Sequence, residues 1–226
     1  LPLLQPICPM PSTVQLHYAA YKGEFALEVG GTLRWAVLDE RHALSFVFKG
    51  DFKVTTQSLM GKAELKKLHS MLIGEFPLLT KKMIEKVLSS KEDINILKCS
   101  NGTALYVSGE GNPPAFFDDG FGAVYPTLFT LWKVPLFMPE LVTHGPVSKF
   151  LLPKERSAGA DMMLPGVIVP DEGLGPLHEG QKRAICVEGN DAVVGVGKMV
   201  VSDSDIKQKG MKGKGMEVCH VYLDSL

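Results

Sequence analysis

The spacing of apolar and polar residues divides the chain into three parts. Residues 1–45 show no sustained period, although GTLRWAVL alternates briefly like a strand and prolines interrupt the leading LPLLQPICPMP. We expect this part to be a poorly ordered or non-native extension. Residues 46–140 and 141–226 carry clear patterns of two different kinds.

The middle part mixes helical and strand patterns. In GKAELKKLHSMLIGEF, apolar residues recur at helical spacing with lysines on the opposite face. Thr80 is placed to cap a second short helix, and Pro126 suits the first turn of a third. Asn101-Gly102 separates the alternating runs INILKCS and TALYVS, which predicts a hairpin with a type I′ turn. PAFF is a further strand candidate, so this part is predicted to be a small α+β domain.

The last part is mostly strand-like. Five short runs separated by turn residues predict a small barrel: VSKFLL, GVIVP, RAICVEG, AVVGVGKMVVS and MEVCHVYL. Gly195 and Gly197 fit positions where another backbone passes close. GADMML is predicted to form the barrel's short helix, which Pro165-Gly166 ends.

Composition excludes several classes of protein. The chain has 24 Lys and Arg against 25 Asp and Glu, so its net charge of -1 indicates no overall preference for nucleic acid, although a local basic patch remains open. No apolar run approaches the ~20 residues of a membrane span. Four cysteines lie far apart without a CxxC pair, which favours free thiols in a reducing, cytoplasmic setting. The histidines lack metal-ligand spacing, so we expect no metal or other cofactor.

The strongest local charge is the run KQKGMKGKGMEV. Lys207, Lys209, Lys212 and Lys214 fall within eight residues and alternate with glycines, of which Gly215 is the last. Lysines and flexible backbone amides together suit phosphate binding. From the residues alone, a solvated surface loop remains the more common explanation.

Two residue pairs that could suggest catalysis have simpler explanations. Cys219 and His220 are neighbours on a strand, so their side chains are expected to diverge, with the thiol buried and the imidazole at the surface. Asp118-Asp119 is followed by Gly120 and is typical of a turn.

Aromatic residues cluster in the middle part of the chain. They could stack on bases, but core packing and a face against the second domain are the favoured interpretation. An exposed remainder would point to a protein partner. The residues are Phe116, Phe117, Tyr125, Phe129 and Trp132.

Several segments, taken in order, resemble a known tandem of domains. GADMMLPGV, AVVGVGKMVVS and GMKGKGMEVCHVYLD resemble the signature segments of the PUA domain, an RNA-binding pseudo-barrel. Upstream, FKGDFKV, ELKKL, LYVSGEGNPPAFF and YPTLFTLWKVPLFMP resemble the pre-PUA domain of ligatin-type translation initiation factors and of the related MCT (malignant T-cell-amplified sequence) proteins. The likeness covers about residues 47–226. It departs from the family in PKERS, which looks like an insertion, and in ending before the winged-helix, SWIB and SUI1-type domains of ligatin.

The resemblance implies a fold and a site. The fold is α+β, with a pre-PUA domain over 46–140 and a PUA pseudo-barrel over 141–226. In PUA domains the Gly-Ala-Asp turn begins a short helix that faces RNA, although a packing turn has nearly equal weight here. With this turn nearby, the lysine run becomes the favoured source of charge. The predicted RNA-binding residues are Gly159, Ala160, Asp161, Lys207, Lys209, Lys212, Lys214 and Gly215.

The resemblance also implies a function. We expect a non-catalytic translation factor that binds the small ribosomal subunit (rRNA) and the acceptor end of tRNA during unusual initiation, reinitiation and recycling. One alternative is an MCT-like interaction subunit that acts with a SUI1-domain partner. Another is the RNA-targeting part of a tRNA or rRNA modification enzyme, which would need a separate catalytic domain.

Overall fold

The computed structural model describes residue 48, residues 52–152, 160–222, 224 and 226, and the backbone of three earlier strands. These strands, β1 (Gln15–Ala19), β2 (Glu24–Val29) and β3 (Thr32–Val37), pair antiparallel in sequence order. Strand β3 confirms the strand pattern of GTLRWAVL. The rest of the prediction, that residues 1–45 form a poorly ordered or non-native extension, stays a prediction.

The first large domain is a five-stranded antiparallel sheet with three helices. Its strands follow one another in space as they do in sequence, which confirms the predicted α+β class. The strands are β4 (Val54–Leu59), β5 (Ile94–Cys99), β6 (Ala104–Ser108), β7 (Phe116–Asp118) and β8 (Val124–Pro126). The helices are α1 (Lys62–Glu75), α2 (Lys81–Val87) and α3 (Leu128–Lys133).

Local side chains start these helices. The Thr80 hydroxyl accepts the Met83 N–H at 3.3 Å, which confirms the predicted cap of α2. Thr127 caps α3 in the same way. Pro126 therefore lies in β8, before the helix rather than in its first turn.

The predicted hairpin at Asn101-Gly102 is confirmed, but the predicted type I′ turn was wrong. Cys99 N–H donates to the Thr103 carbonyl at 2.8 Å, so the loop has three residues. Gly102 has φ 87°, whereas Asn101 is not in the left-handed region that a type I′ turn requires. The Asn101 side-chain oxygen accepts the Thr103 hydroxyl at 2.7 Å instead.

The second large domain is built on a curled five-stranded sheet of order β10-β13-β12-β11-β9. All neighbours pair antiparallel except β9 and β11, which are parallel. The strands are β9 (Glu140–Thr143), β10 (Met162–Met163), β11 (Lys182–Val187), β12 (Gly195–Met199) and β13 (Lys214–Val221). Two short helices, α4 (Ser148–Leu151) and α5 (Asp203–Lys209), and two 3₁₀ turns complete it.

Three of the five predicted barrel strands are confirmed and two are wrong. RAICVEG and MEVCHVYL overlap β11 and β13, and AVVGVGKMVVS contains β12. VSKFLL instead forms α4, which follows a 3₁₀ turn with Pro146 in its first residues. GVIVP contributes one bridge, between Thr143 and Val167.

The predicted helix in GADMML was also wrong. Met162 and Met163 form β10, and a 3₁₀ turn over Leu164–Gly166 follows. Met162 is fully buried while Met163 is half exposed, the alternation of a strand. Pairing with β13, more than fifty residues away, satisfies this backbone and decides its conformation.

The two large domains share one apolar core. Ala184, Val196 and Cys219 of the second domain pack in the same cluster as the core of the first. Trp132 Nε1 donates to the Val193 carbonyl at 2.8 Å across the junction. Phe116, Phe117 and Tyr125 are buried, as the core-packing interpretation predicted.

A β-bulge changes what faces this junction. Val196 pairs with His220 and Gly197 pairs with Val218, so Cys219 has no opposite residue. Cys219 and His220 therefore both face the first domain, and the predicted surface position of the imidazole was wrong. The His220 ring packs edge-on against Phe117, with 5.9 Å between centroids.

Candidate nucleic-acid interface

The two segments predicted to bind RNA lie side by side. Strand β10 pairs with the start of β13, which places Met163 opposite Lys214. The Leu164 N–H donates to the Gly213 carbonyl at 2.9 Å. Asp161 and β10 thus meet the lysine-glycine run at one edge of the sheet.

Asp161 forms an ion pair with a lysine of the same predicted site. Its Oδ2 lies 2.7 Å from Lys214 Nζ, which also reaches Glu217 Oε1 at 3.0 Å. The hydrogen bond to Asp161 raises the pKa of Lys214, and the bonds from Lys214 and Lys198 lower the pKa of Glu217. Lys214 is therefore charged but already surrounded by two carboxylates.

The lysine run is less flexible than its glycines suggested. Lys207 and Lys209 lie in the last turn of α5, where the helix dipole stabilises positive charge. Ser202 caps this helix and Gly210 follows it with φ 72°. The sequence prediction missed α5, although Ser202, Asp205 three residues later and Gly210 are its start and stop signals.

The exposed lysines differ in how far they are already neutralised. Lys209 Nζ lies 3.2 Å from Asp205, and hydrogen bonds, those from Ser202 first, lower the Asp205 pKa to about 2. Lys207 and Lys212 are exposed and have no ion-pair partner within the part of the chain that is described. These two ammonium groups remain free for an anionic ligand.

The remaining predicted residues have mixed outcomes. Gly159 lies outside the described residues. Ala160 is exposed, and its N–H donates to the Phe150 carbonyl at 3.2 Å, so this amide is not free to bind a phosphate. Gly215 is buried, and a Cβ there would lie 2.6 Å from Leu164 Cδ2. Its lack of a side chain thus serves packing, and an RNA contact by Gly215 stays a prediction.

The described residues hold none of the other site types considered. They contain no group of three or more His, Cys, Asp or Glu side chains that could hold a metal. Burial raises the pKa of the Cys219 thiol to about 11, which disfavours the nucleophilic thiolate. No helix among these residues has the length and apolar character needed to cross a membrane.

Two family models match the chain in succession. The model described as "Pre-PUA-like domain" matches residues 48–135. The model described as "elF2D, PUA domain" matches residues 138–225. Together they account for the two large domains.

Curated relatives have the same two regions. Eukaryotic translation initiation factor 2D of Mus musculus is 34% identical over 184 residues, which is 80% of this chain and 31% of that protein. The Homo sapiens protein is 33% identical over 184 residues. This chain thus spans about a third of the length of these relatives. Malignant T-cell-amplified sequence 1-B of Xenopus laevis is 32% identical over 163 residues, 72% of this chain and 84% of that protein.

Solved structures show the same fold. A conserved PUA domain protein from Thermoplasma acidophilum matches with TM-score 0.51 and 15% identity, over 75% of this chain and 95% of that one. A hypothetical protein from Pyrococcus horikoshii matches with TM-score 0.54 and 21% identity, over 75% and 96%. The chain belongs to the family of tandem pre-PUA and PUA proteins that includes eukaryotic translation initiation factor 2D and the malignant T-cell-amplified sequence proteins.

Proposed function

We propose that this chain is a non-catalytic, RNA-binding translation factor. It binds the small ribosomal subunit and the acceptor end of tRNA in the cytoplasm, and acts in unusual initiation, reinitiation and recycling. The observation that carries the proposal is the meeting of β10 with the lysine run at one edge of a PUA domain.

The mechanism is positioning rather than chemistry. Lys207 and Lys212 supply unpaired positive charge for phosphates, which dominate RNA affinity. Ala160 is exposed and has no bulk beyond Cβ, so a sugar-phosphate chain can approach the backbone beside it. Asp161 holds Lys214 at this edge and can exchange that partner for ribose or base donors.

The lysines provide the test. The double variant Lys207→Glu, Lys212→Glu should weaken binding to purified small ribosomal subunits and to tRNA, because two phosphate contacts are lost. The slope of log Kd against log salt should fall by about one unit per lysine. Fluorescence anisotropy over a salt series measures both quantities.

A charge-matched control separates local contacts from net charge. The variant Lys66→Glu, Lys67→Glu replaces two exposed lysines of α1. It changes the net charge by the same amount as the first variant. We expect this control to change tRNA binding much less than the first variant. Equal losses in both variants, or no loss in either while both remain folded, would refute the assignment of the site.

A second candidate function rests on the relative from Xenopus laevis. Malignant T-cell-amplified sequence 1-B is 32% identical to this chain over 163 residues. The alternative is therefore an interaction subunit that works with a separate SUI1-domain protein. A single stoichiometric SUI1-containing partner recovered from cytosol would support it. The modification-enzyme alternative gains no support from the comparisons, because the two family models describe a pre-PUA-like and a PUA domain and no catalytic domain.

A further inference from the structure

The short helix α4 presents one aromatic side chain to solvent. Leu151 is buried in the core of the second domain, whereas the neighbouring Phe150 is 61% exposed. The Ser148 hydroxyl donates to the Gly145 carbonyl at 2.7 Å, and the Leu152 N–H donates to the Ser148 carbonyl at 2.8 Å. A single exposed apolar side chain is ordinary, so what Phe150 can do depends on its surroundings.

One turn places α4 beside the edge predicted to bind RNA. At one end of the 3₁₀ turn over Leu164–Gly166, the Leu164 N–H donates to the Gly213 carbonyl of the lysine-glycine run at 2.9 Å. At the other end, a Cβ on Gly166 would lie 3.1 Å from Cγ2 of Val147, the residue just before α4. Three residues of such a turn span about 6 Å, so α4 and the lysine run lie close together.

A second contact joins α4 directly to the residues before β10. The Ala160 N–H donates to the Phe150 carbonyl at 3.2 Å. The next residue, Asp161, binds Lys214. Met163 of β10 is 49% exposed and pairs opposite Lys214. Phe150 and Met163 are thus exposed apolar side chains on segments that form this edge.

The charged side chains of the same segments favour an anionic ligand. Residues 148–152, 160–166 and 212–217 carry three lysines and two carboxylates, which are Lys149, Lys212, Lys214, Asp161 and Glu217. Both carboxylates bind Lys214, and Glu217 also binds Lys198 of β12. Lys149 and Lys212 are exposed and have no ion-pair partner in the part of the chain that the structure describes. Positive charge beside an exposed aromatic ring is the combination that binds single-stranded nucleic acid.

We propose that Phe150 is a stacking surface for an unpaired base, and that it gives this edge a preference for single-stranded RNA ends over duplex RNA. The inference rests on the proposed RNA binding and adds a residue that selects the form of the RNA. Every base has a flat face that can stack on an aromatic ring, but neighbouring base pairs cover these faces inside a duplex. Lys149 and Lys212 bind phosphates of the same strand.

Two duplex RNAs of the same sequence test the proposal. One is blunt, the other has four unpaired adenosines at one 3′ end, and both carry a fluorophore at the opposite end for anisotropy with the full chain. We expect tighter binding of the tailed duplex. Phe150→Ala should raise the Kd for the tailed duplex at least about fivefold, the lower end of what one stacked base contributes. It should leave the Kd for the blunt duplex unchanged.

Three further variants separate stacking from other effects. Phe150→Trp keeps an aromatic face and should keep the preference for the tail. Phe121→Ala removes a phenylalanine that is 95% exposed in the first domain, and should change neither Kd. Lys149→Gln should weaken binding of both duplexes and lower the slope of log Kd against log salt by about one. Phe150→Ala should leave that slope unchanged, because it removes no phosphate contact. Thermal melts check that each variant folds.

Several results would overturn the proposal. These are an equal Kd for the two duplexes in the unsubstituted chain, an unchanged preference for the tail in Phe150→Ala, or an equal loss in Phe121→Ala. If the variant Lys207→Glu, Lys212→Glu weakens RNA binding while Phe150→Ala does not, the proposed function stands and this inference falls. Failure of the unsubstituted chain to bind either duplex would refute both.

Discussion

At the residue scale, glycines that look alike in the sequence have different structural roles. A Cβ on Gly197 would lie 2.2 Å from the Glu217 carbonyl oxygen, so β12 and β13 touch there at the bulge. This confirms the prediction that another backbone passes close to Gly197. Gly74 in α1 has nothing within 4 Å of such a Cβ. The local sequence predicts that Gly197 lies in a strand and Gly74 in a helix. Only the position of the neighbouring strand shows that Gly197 has no room for a side chain.

Alanine at these two glycines should therefore have opposite effects. We expect Gly197→Ala to lower the free energy of unfolding by about 2 kcal/mol or more, because the clash is with backbone. Gly74→Ala should raise it by up to about 1 kcal/mol, since alanine favours a helix interior. Urea unfolding measures both, and a neutral Gly197→Ala would contradict the close approach.

At the element scale, β11 joins the two large domains through one buried lysine. Lys182 Nζ donates to the Val124 carbonyl at 2.8 Å and lies 2.9 Å from Glu75 Oε1. It also lies 4.8 Å from the centroid of the Tyr125 ring. The strand in RAICVEG was predicted from its apolar run, but nothing in the sequence indicates that the side chain of the preceding Lys182 reaches the first domain.

Removing this lysine should weaken the junction. Lys182→Met keeps the apolar stem but leaves the Val124 carbonyl unpaired, so we expect a loss of about 1–3 kcal/mol in unfolding free energy. Glu75→Gln should cost less than about 1 kcal/mol, because that carboxylate is 43% exposed.

Lys198→Met is the matched control for this prediction. It breaks an exposed pair with Glu217 on the adjacent strand and should change stability by less than about 1 kcal/mol. Similar losses in unfolding free energy from Lys182→Met and Lys198→Met would show that the buried hydrogen bond contributes no more to stability than an exposed ion pair. Thermal and urea unfolding of the three variants decide this.

At the scale of the whole molecule, residues 43–226 form one compact unit. The shared cluster contains side chains from both large domains, while a second cluster lies within the second domain alone. Because the shared side chains must be buried together, the two domains are expected to unfold together. Family boundaries drawn along the sequence do not reveal this coupling.

Coupling can be measured by perturbing one domain and observing the other. Ile185 is fully buried in the second cluster, and Ile185→Ala should destabilise that domain by about 2–5 kcal/mol. If unfolding is shared, slow amide hydrogens of β5 and β6 in the first domain should also exchange faster. Unchanged exchange there, with faster exchange in β12, would show independent domains. Gly74→Ala serves as a variant that should not accelerate exchange.

Local spacing alone determined α1, α2, the hairpin between β5 and β6, and strands β11 to β13, because caps and periodicity act between near neighbours. The order of the motifs along the sequence also indicated the family. Tertiary structure decided the rest. Pairing with β13 placed Met162 and Met163 in a strand, and a bulge turned His220 inward. Asp161 pairs with Lys214, whereas Lys212 has no ion-pair partner among the described residues. Each of these outcomes depends on residues far apart in the chain, whose contacts no local pattern specifies.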